Sequence, residues 1–232
     1  MGMLYLVRHG QASFGAADYD QLSALGERQC VRLGEYFHAR GMRFGAVLTG
    51  TLRRHAQSLA AIAQGLDGLP PPLVWPGLDE YDGKALIAAI HPEPLARPVP
   101  TAAPEYFRQH FRLLREGRAQ WMAGATAPAG MPSYAEFVAG VNGALDHVRR
   151  EFDGDVLVVS SGGPISTAIG QVLGTPHAST IDINMRIRNS AVSQLIFTPQ
   201  RHMLLTYNTL PHLDGAQDAA MEGLYTALDG LG

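Results

Sequence analysis

The chain has 232 residues, of which 46% are hydrophobic and 17% charged, with a formal net charge of −3 and one cysteine. These values are typical of a globular protein, and they give no electrostatic reason to expect binding to nucleic acid or an anionic membrane. The lone Cys30 cannot form an internal disulfide, and the opening MGMLYLVRHG is too short an apolar run for a signal peptide or transmembrane helix. We therefore expect one domain over residues 1–232, located in the cytoplasm.

Strands and helices alternate along the chain. Met3–Val7 is a buried strand, and helical spacing of apolar residues then begins at Ser23 and ends at Gly41. Further elements follow in chain order: strand Ala46–Thr49, helix Leu52–Leu66, strand Leu73–Trp75, a helix over Tyr106–Trp121, a helix from the Ser133 capping box to Phe152, strand Val156–Ser160, a helix from Pro164 to Leu173, and an antiparallel pair, Ala191–Phe197 and His202–Tyr207.

Residues 92–104 hold five prolines and few core-forming side chains. Because strands of the same kind resume further on, we interpret about residues 92–132 as a helical cap insertion and not as a domain linker.

The alternation of strands and helices predicts an α/β fold. In this fold, a three-layer α/β/α sandwich, helices cover both faces of a mostly parallel central sheet.

Polar groups follow three of the predicted strands, at Arg8-His9-Gly10, Thr49-Gly50 and Ser160-Ser161. In open α/β sheets, ligands bind at the carboxyl ends of the strands. An imidazole beside a guanidinium is disfavoured as a cation, so His9 could serve as a neutral nucleophile. Taken alone, the tripeptide is equally typical of a strand-end histidine that bonds to backbone.

Three motifs in order make the case more specific: MLYLVRHGQ at residues 3–11, LSALGERQ at residues 22–29 and LRRHAQS at residues 52–58. Together they resemble the histidine phosphatase superfamily, the phosphoglycerate-mutase-like proteins. In that family a strand ends in LVRHG, a helix opens with L-T-x-x-G-x-x-Q, and a later helix begins S-x-L-x-R-A-x-Q-T. The resemblance extends from Met3 to about Leu213.

The resemblance implies that His9 is the nucleophile that becomes phosphohistidine. It also implies that Arg8 and Arg54 hold the phosphoryl oxygens, since Arg54 and not Arg53 matches the spacing of the family motif. Arg54 begins a helix, and the free N–H groups there favour an anion.

The loop after the third strand, Leu78-Asp79-Glu80, resembles the family's L-x-E loop. The resemblance implies that Glu80 protonates the leaving oxygen and later, as a carboxylate, activates water. Asp79 and Asp82 are competing candidates for this role, and both residues are also typical of turns.

Ser161 is the main departure from the family pattern, because the late strand runs into SSGG where the family has S-H-G-G. Ser161 thus replaces a histidine that hydrogen-bonds to the transferred phosphoryl group, while the backbone N–H groups of Gly162 and Gly163 keep an anion-friendly helix entrance. Loss of one such donor typically costs on the order of 10²–10³ in rate. A water, or a histidine from elsewhere such as His212, is a candidate for the vacant place.

Gly15 is a second departure from the family pattern. It stands where many members have Asn, with Ser13 as the nearest polar substitute.

The sequence therefore predicts a metal-independent phosphomonoesterase that acts on a small phosphorylated substrate through His9 and needs no cofactor. One alternative is a degenerate member that binds a phosphorylated ligand without turnover. A phosphoglycerate mutase is disfavoured because the arginines of the cap lack the R-R-S-Y-D run. A serine hydrolase using Ser161, Asp182 and His212 is disfavoured because Val159 stands where the G-x-S-x-G motif needs glycine.

Overall fold

The computed structural model describes residues 1–13, 20–93 and 103–213. Its elements in chain order are β1 (Gly2–Arg8), α1 (Ala24–Ala39), β2 (Ala46–Thr49), α2 (Arg53–Gly65), β3 (Leu73–Val74), a 3₁₀ turn (Pro76–Leu78), α3 (Gly83–Ile90), α4 (Ala103–Met122), α5 (Tyr134–Glu151), β4 (Val156–Ser160), α6 (Gly162–Leu173), α7 (His177–Arg186), β5 (Val192–Phe197) and β6 (His202–Thr209).

The strands form one six-stranded sheet in the order β3-β2-β4-β1-β5-β6. The first four are mutually parallel, and β5 runs antiparallel to both β1 and β6. Arg8 lies opposite Ser160 in the β1–β4 register, and Thr49 lies opposite Val159 in the β2–β4 register. The three polar strand ends therefore meet at one edge of the sheet.

Successive residues of β1 and β4 belong to two different hydrophobic clusters, as expected when a sheet is covered on both faces. Leu4 and Leu6 of β1 and Val156 and Val158 of β4 pack with α5 and α6. Tyr5 and Val7 of β1 and Leu157 and Val159 of β4 pack with α1 and α2. The predicted three-layer α/β class is confirmed. Within the described ranges, seven helices flank the sheet.

Every predicted strand and helix is present, with its ends shifted by a few residues. Two helices were missed, α3 and α7. The sequence of α3, GKALIAAI, is short and has no polar face that would reveal a period, and α7 follows Pro176 without a side-chain cap. Of the predicted cap, α4 is described, whereas residues 94–102 lie outside the described part. No helix in that part is long and apolar enough to cross a membrane.

Candidate active site

His9 follows β1 directly and is only 2% exposed. Its Nδ1 lies 2.7 Å from the carbonyl oxygen of Gly10. Because a carbonyl oxygen only accepts, Nδ1 carries the proton and Nε2 carries the lone pair. Burial, followed by the charges of Arg8 and Arg54 and by His55, lowers the pKa of His9 well below its usual range. The imidazole is therefore neutral at neutral pH, as a nucleophilic role would require.

Arg54 lies in the first turn of α2 and contacts two other predicted site residues. Its Nε donates to Nε2 of His9 at 3.3 Å, and its Nη2 donates to Oγ of Ser161 at 3.4 Å. Asp20 holds it in place, because Nη1 and the backbone N–H of Arg54 donate to Oδ1 of Asp20 at 2.9 and 3.3 Å. The sequence suggested that these helix N–H groups would favour a phosphate, but the anion found there is the Asp20 carboxylate.

Arg8 ends β1 and is 7% exposed. Its Nη1 donates to the carbonyl oxygen of Ile187, just after α7. A Cβ on Gly162 would lie 3.9 Å from Arg8 Nε, so the guanidinium passes beside the first residue of α6. Arg8 and Arg54 therefore bring two positive charges near His9.

Glu80 reaches the N-terminus of α6, where both of its carboxylate oxygens accept from the N–H of Gly163, at 3.1 and 3.2 Å. This approach needs a glycine, because a Cβ at position 163 would lie 2.0 Å from Glu80 Oε1 and 2.7 Å from the ring of Tyr81. The N–H of Gly163, which the sequence suggested would face a phosphate, is occupied by Glu80.

The two competing acids, Asp79 and Asp82, have other partners. Asp82 caps α3, accepting from two N–H groups of its first turn at 2.8 and 3.2 Å. Asp79 accepts from the backbone N–H of Thr51 at 2.6 Å and from the Thr51 hydroxyl. Of the three carboxylates, Glu80 is the one that contacts the α6 entrance beside Ser161.

Ser161 is fully buried at the junction of β4 and α6, where its side chain contacts the first turn of α2. Its Oγ is 2.6 Å from Nε2 of His55, which is also fully buried. His55 was not predicted, although the sequence contains a signal: His55 stands at the alanine of the S-x-L-x-R-A-x-Q-T motif. The histidine that lies beside Ser161 is therefore His55 and not His212.

A profile of the histidine phosphatase superfamily, branch 1, matches residues 4–210. The chain belongs to this superfamily. The predicted family and the predicted class of enzyme, a phosphoric monoester hydrolase, are thereby confirmed. No curated protein is a significant sequence match to the chain.

Solved structures of phosphatases share the fold of this histidine phosphatase. Alpha-ribazole phosphatase from Shigella flexneri is 18% identical with a TM-score of 0.61, over 90% of this chain and 96% of that one. A mycobacterial glucosyl-3-phosphoglycerate phosphatase, solved with VO₃, is 22% identical with a TM-score of 0.61, over 90% and 100%. Phosphoserine phosphatase from Entamoeba histolytica is 17% identical with a TM-score of 0.60, over 92% and 100%.

Two secondary candidates from the sequence, His212 and Ser13, bond to other residues. His212 is 2.9 Å from Ser190 Oγ, and the Ser190 N–H donates to the carbonyl oxygen of His9 at 3.1 Å, so Ser190 links His212 to the backbone of His9. The N–H of Ser13 donates to the carbonyl oxygen of Gln21 at 2.8 Å. Gly15 lies outside the described residues.

The serine-hydrolase alternative required Ser161, Asp182 and His212 to meet. Asp182 forms an ion pair with Arg115 at 2.6 Å, and His212 bonds to Ser190. Ser161 has His55 and Arg54 as its neighbours instead. The three residues do not form a triad.

The buried histidines predict that the fold loses stability in acid. Burial, then Arg54, lowers the pKa of His55 to about 3, and the pKa of His9 is also lowered well below 6.5. In the unfolded chain both imidazoles take up a proton near pH 6.5. The unfolded state thus binds more protons, and the free energy of unfolding falls as the pH drops below about 6.5, approaching about 1.4 kcal/mol per pH unit for each histidine.

Urea unfolding at a series of pH values between about 7 and 5 measures this slope. A His55→Gln variant should show a shallower slope than the wild type, because one of the two groups has been removed. The same slope in both proteins would show that His55 is not kept neutral by the fold.

Proposed function

We propose that this histidine phosphatase is a metal-independent phosphomonoesterase that works through a phosphohistidine at His9. The observation that carries the proposal is a neutral, buried imidazole whose Nε2 lone pair faces Arg54, 3.3 Å away. Arg8 and Arg54 supply fixed positive charge for the phosphoryl oxygens. Their presence is the reason that the proposed reaction needs no metal ion.

The first half of the reaction makes the phosphoenzyme. His9 Nε2 attacks phosphorus, and the bond between phosphorus and the leaving oxygen breaks. Glu80, in its protonated form, gives its proton to that oxygen and becomes a carboxylate. In the second half, the Glu80 carboxylate takes a proton from water, the water oxygen attacks phosphorus, and the phosphorus–nitrogen bond breaks to release inorganic phosphate.

Arg54 has to exchange partners for the reaction to begin. Its Nε–H now donates to the same His9 lone pair that attacks phosphorus. A phosphoryl oxygen is a charged and therefore stronger acceptor than a neutral imidazole. Substrate binding thus moves the N–H from His9 to the phosphoryl group and frees the nucleophile, while Asp20 keeps the rest of the guanidinium in place.

The substrate we propose is a small phosphate monoester. The cap insertion, about residues 92–132, would select its leaving group, and cap and sheet would belong to a single domain. Arg118 supports this, because it comes from α4 of the cap, is fully buried and contacts Tyr81. Its Nη1 donates to the hydroxyl of Tyr81 at 3.3 Å, and its guanidinium lies 4.8 Å from that ring. Tyr81 directly follows Glu80, so the cap is linked to the proposed acid.

Turnover of p-nitrophenyl phosphate by the wild type, with and without a chelator, tests the proposed function. We expect release of inorganic phosphate that the chelator does not change. An alkaline quench during turnover should trap up to one phosphoryl group per chain on His9, detectable by mass spectrometry of the peptide. Orthovanadate binding without turnover and without phosphoenzyme would instead identify a degenerate member that only binds phosphorylated ligands, an alternative that Ser161 motivates.

A further inference from the structure

Ser161 is a helix-capping residue whose side chain does not cap its helix. It is the N-cap of α6, yet Oγ accepts no hydrogen bond from the first turn. A capping hydroxyl normally accepts from the second or third N–H, but the N–H of Gly163 donates to Glu80. The Ser161 hydroxyl is thereby left to face His55 Nε2 at 2.6 Å and Arg54 Nη2 at 3.4 Å.

The His55 imidazole fits because a neighbouring residue has no side chain. A Cβ on Gly50 would lie 2.4 Å from His55 Nδ1. In the family motif quoted above, the positions of Gly50 and His55 hold serine and alanine, and the position of Ser161 holds histidine. The three departures from the family pattern, at Gly50, His55 and Ser161, are therefore in contact with one another. Together they place the ring of a histidine from α2 beside position 161.

The surroundings of His55 indicate which ring nitrogen carries the proton. Nδ1 has no hydrogen-bond partner among the described residues, since the nearest carboxylate oxygen, Oδ1 of Asp79, is 3.9 Å away and accepts from Thr51. A buried N–H without an acceptor is rarer than a buried acceptor without a donor. The neutral form with the proton on Nε2 is therefore favoured, and that proton points at Oγ of Ser161.

We propose that His55 and Ser161 act together as the phosphoryl-facing donor of this enzyme. His55 Nε2–H and Arg54 Nη2–H both donate to Ser161 Oγ, and the hydroxyl proton is left to bond to the phosphoryl group. A hydroxyl has two acceptor lone pairs and one donor, so this arrangement uses it completely. Hydrogen bonds in such a chain strengthen one another. Ser161 is then a catalytic residue, and His55 is its positioning residue.

The proposal rests on the proposed function and competes with one other use of the same contacts. If His55 instead took the proton of Ser161, the serine would be a nucleophile. The 3.9 Å gap between Asp79 and His55 argues against this, because the imidazolium would lack the hydrogen bond that orients it. The N–H of Gly163, which would stabilise an oxyanion, is also taken by Glu80.

Five variants separate these possibilities: Ser161→Ala, His55→Ala, His55→Gln, Ser161→His and the double exchange His55→Ala/Ser161→His. For p-nitrophenyl phosphate, we expect Ser161→Ala to lower kcat by about 10²-fold with a smaller change in KM. His55→Ala should lower kcat by about tenfold, and His55→Gln, which keeps a donor near Nε2, should stay within about threefold of wild type.

The double exchange is the decisive variant. Ser161→His alone should fall below wild type, because two imidazoles would occupy the space that now separates Ser161 Oγ from His55 Nε2 by 2.6 Å. Adding His55→Ala should restore kcat to within about tenfold of wild type or above it, since one histidine again faces the phosphoryl group. Thermal unfolding of each variant shows whether it is folded.

A His55→Ala variant with the kcat of wild type, or a double exchange no better than Ser161→His, would overturn the proposal. Labelling of Ser161 by a fluorophosphonate, together with an active His9→Ala variant, would show that the serine is the nucleophile. If the wild type lacks turnover, orthovanadate affinity measured by calorimetry replaces kcat, and the same order of variants is expected. The proposed role of His55 can thus fail while the phosphatase function is confirmed. It can also be confirmed by vanadate affinity when the protein shows no turnover.

Discussion

Replacing His9 with alanine is expected to reduce kcat for p-nitrophenyl phosphate by at least about 10⁴-fold and to remove the trapped phosphoenzyme. The effect is this large because His9 is proposed to form the bond to phosphorus, and no neighbouring group has the same position and charge. The imidazoles of His9 and His55 are separated by 5.8 Å between ring centres, and His55 is directed at Ser161.

The loss should be chemical and not structural. Arg8 and Arg54 remain in the His9→Ala variant, so inorganic phosphate should still bind, with a dissociation constant measurable by calorimetry. His38→Ala is a matched control, because the His38 side chain is 55% exposed, lies in the last turn of α1 and faces Asp67. Equal activity of wild type and His9→Ala would exclude a phosphohistidine mechanism at this residue.

The parts of the site that could be predicted from the sequence are those that follow a strand directly. His9 continues β1, Ser161 follows β4, and parallel pairing of these strands brings their ends together. Their position at the sheet edge needs only the hydrophobic pattern and the geometry of parallel sheets. Arg54 required the family motif as well, since it lies in a helix whose orientation the pattern alone does not determine.

The contacts that tune the site depend on residues far apart in the chain. Asp20 meets Arg54 across 34 positions, and His55 meets Ser161 across 106. No periodic pattern in the sequence indicates either contact. Both helix N-termini that were expected to bind phosphate are occupied by carboxylates of the chain itself. A comparison of single positions with the motif showed that Ser161 was unusual. Only the contact between His55 and Ser161 showed that the departures at Gly50 and His55 belong to the same place in the structure.

Glu80→Gln tests the remaining proposed role, and its effect should depend on the leaving group. The amide can keep the hydrogen bond that Gly163 now donates to Glu80 at 3.1 Å, so the fold of the loop is preserved while the proton is lost. With an alkyl phosphate, whose leaving oxygen needs a proton, kcat should fall by about 10²–10⁴-fold. With p-nitrophenyl phosphate the first step needs little help, because nitrophenolate leaves readily as an anion.

The second step, attack of water, loses its base whichever substrate is used. Rapid mixing of Glu80→Gln with p-nitrophenyl phosphate should therefore release about one nitrophenolate per chain in a burst, followed by slow turnover and accumulation of phosphohistidine. The alkyl phosphate should give no burst. Asp82→Asn is the control, since that carboxylate caps α3 and its loss should leave both rates near wild type. The same burst in an Asp79→Asn variant, with normal kinetics in Glu80→Gln, would assign the acid to Asp79 and move the proton transfer to the carboxylate that faces Thr51.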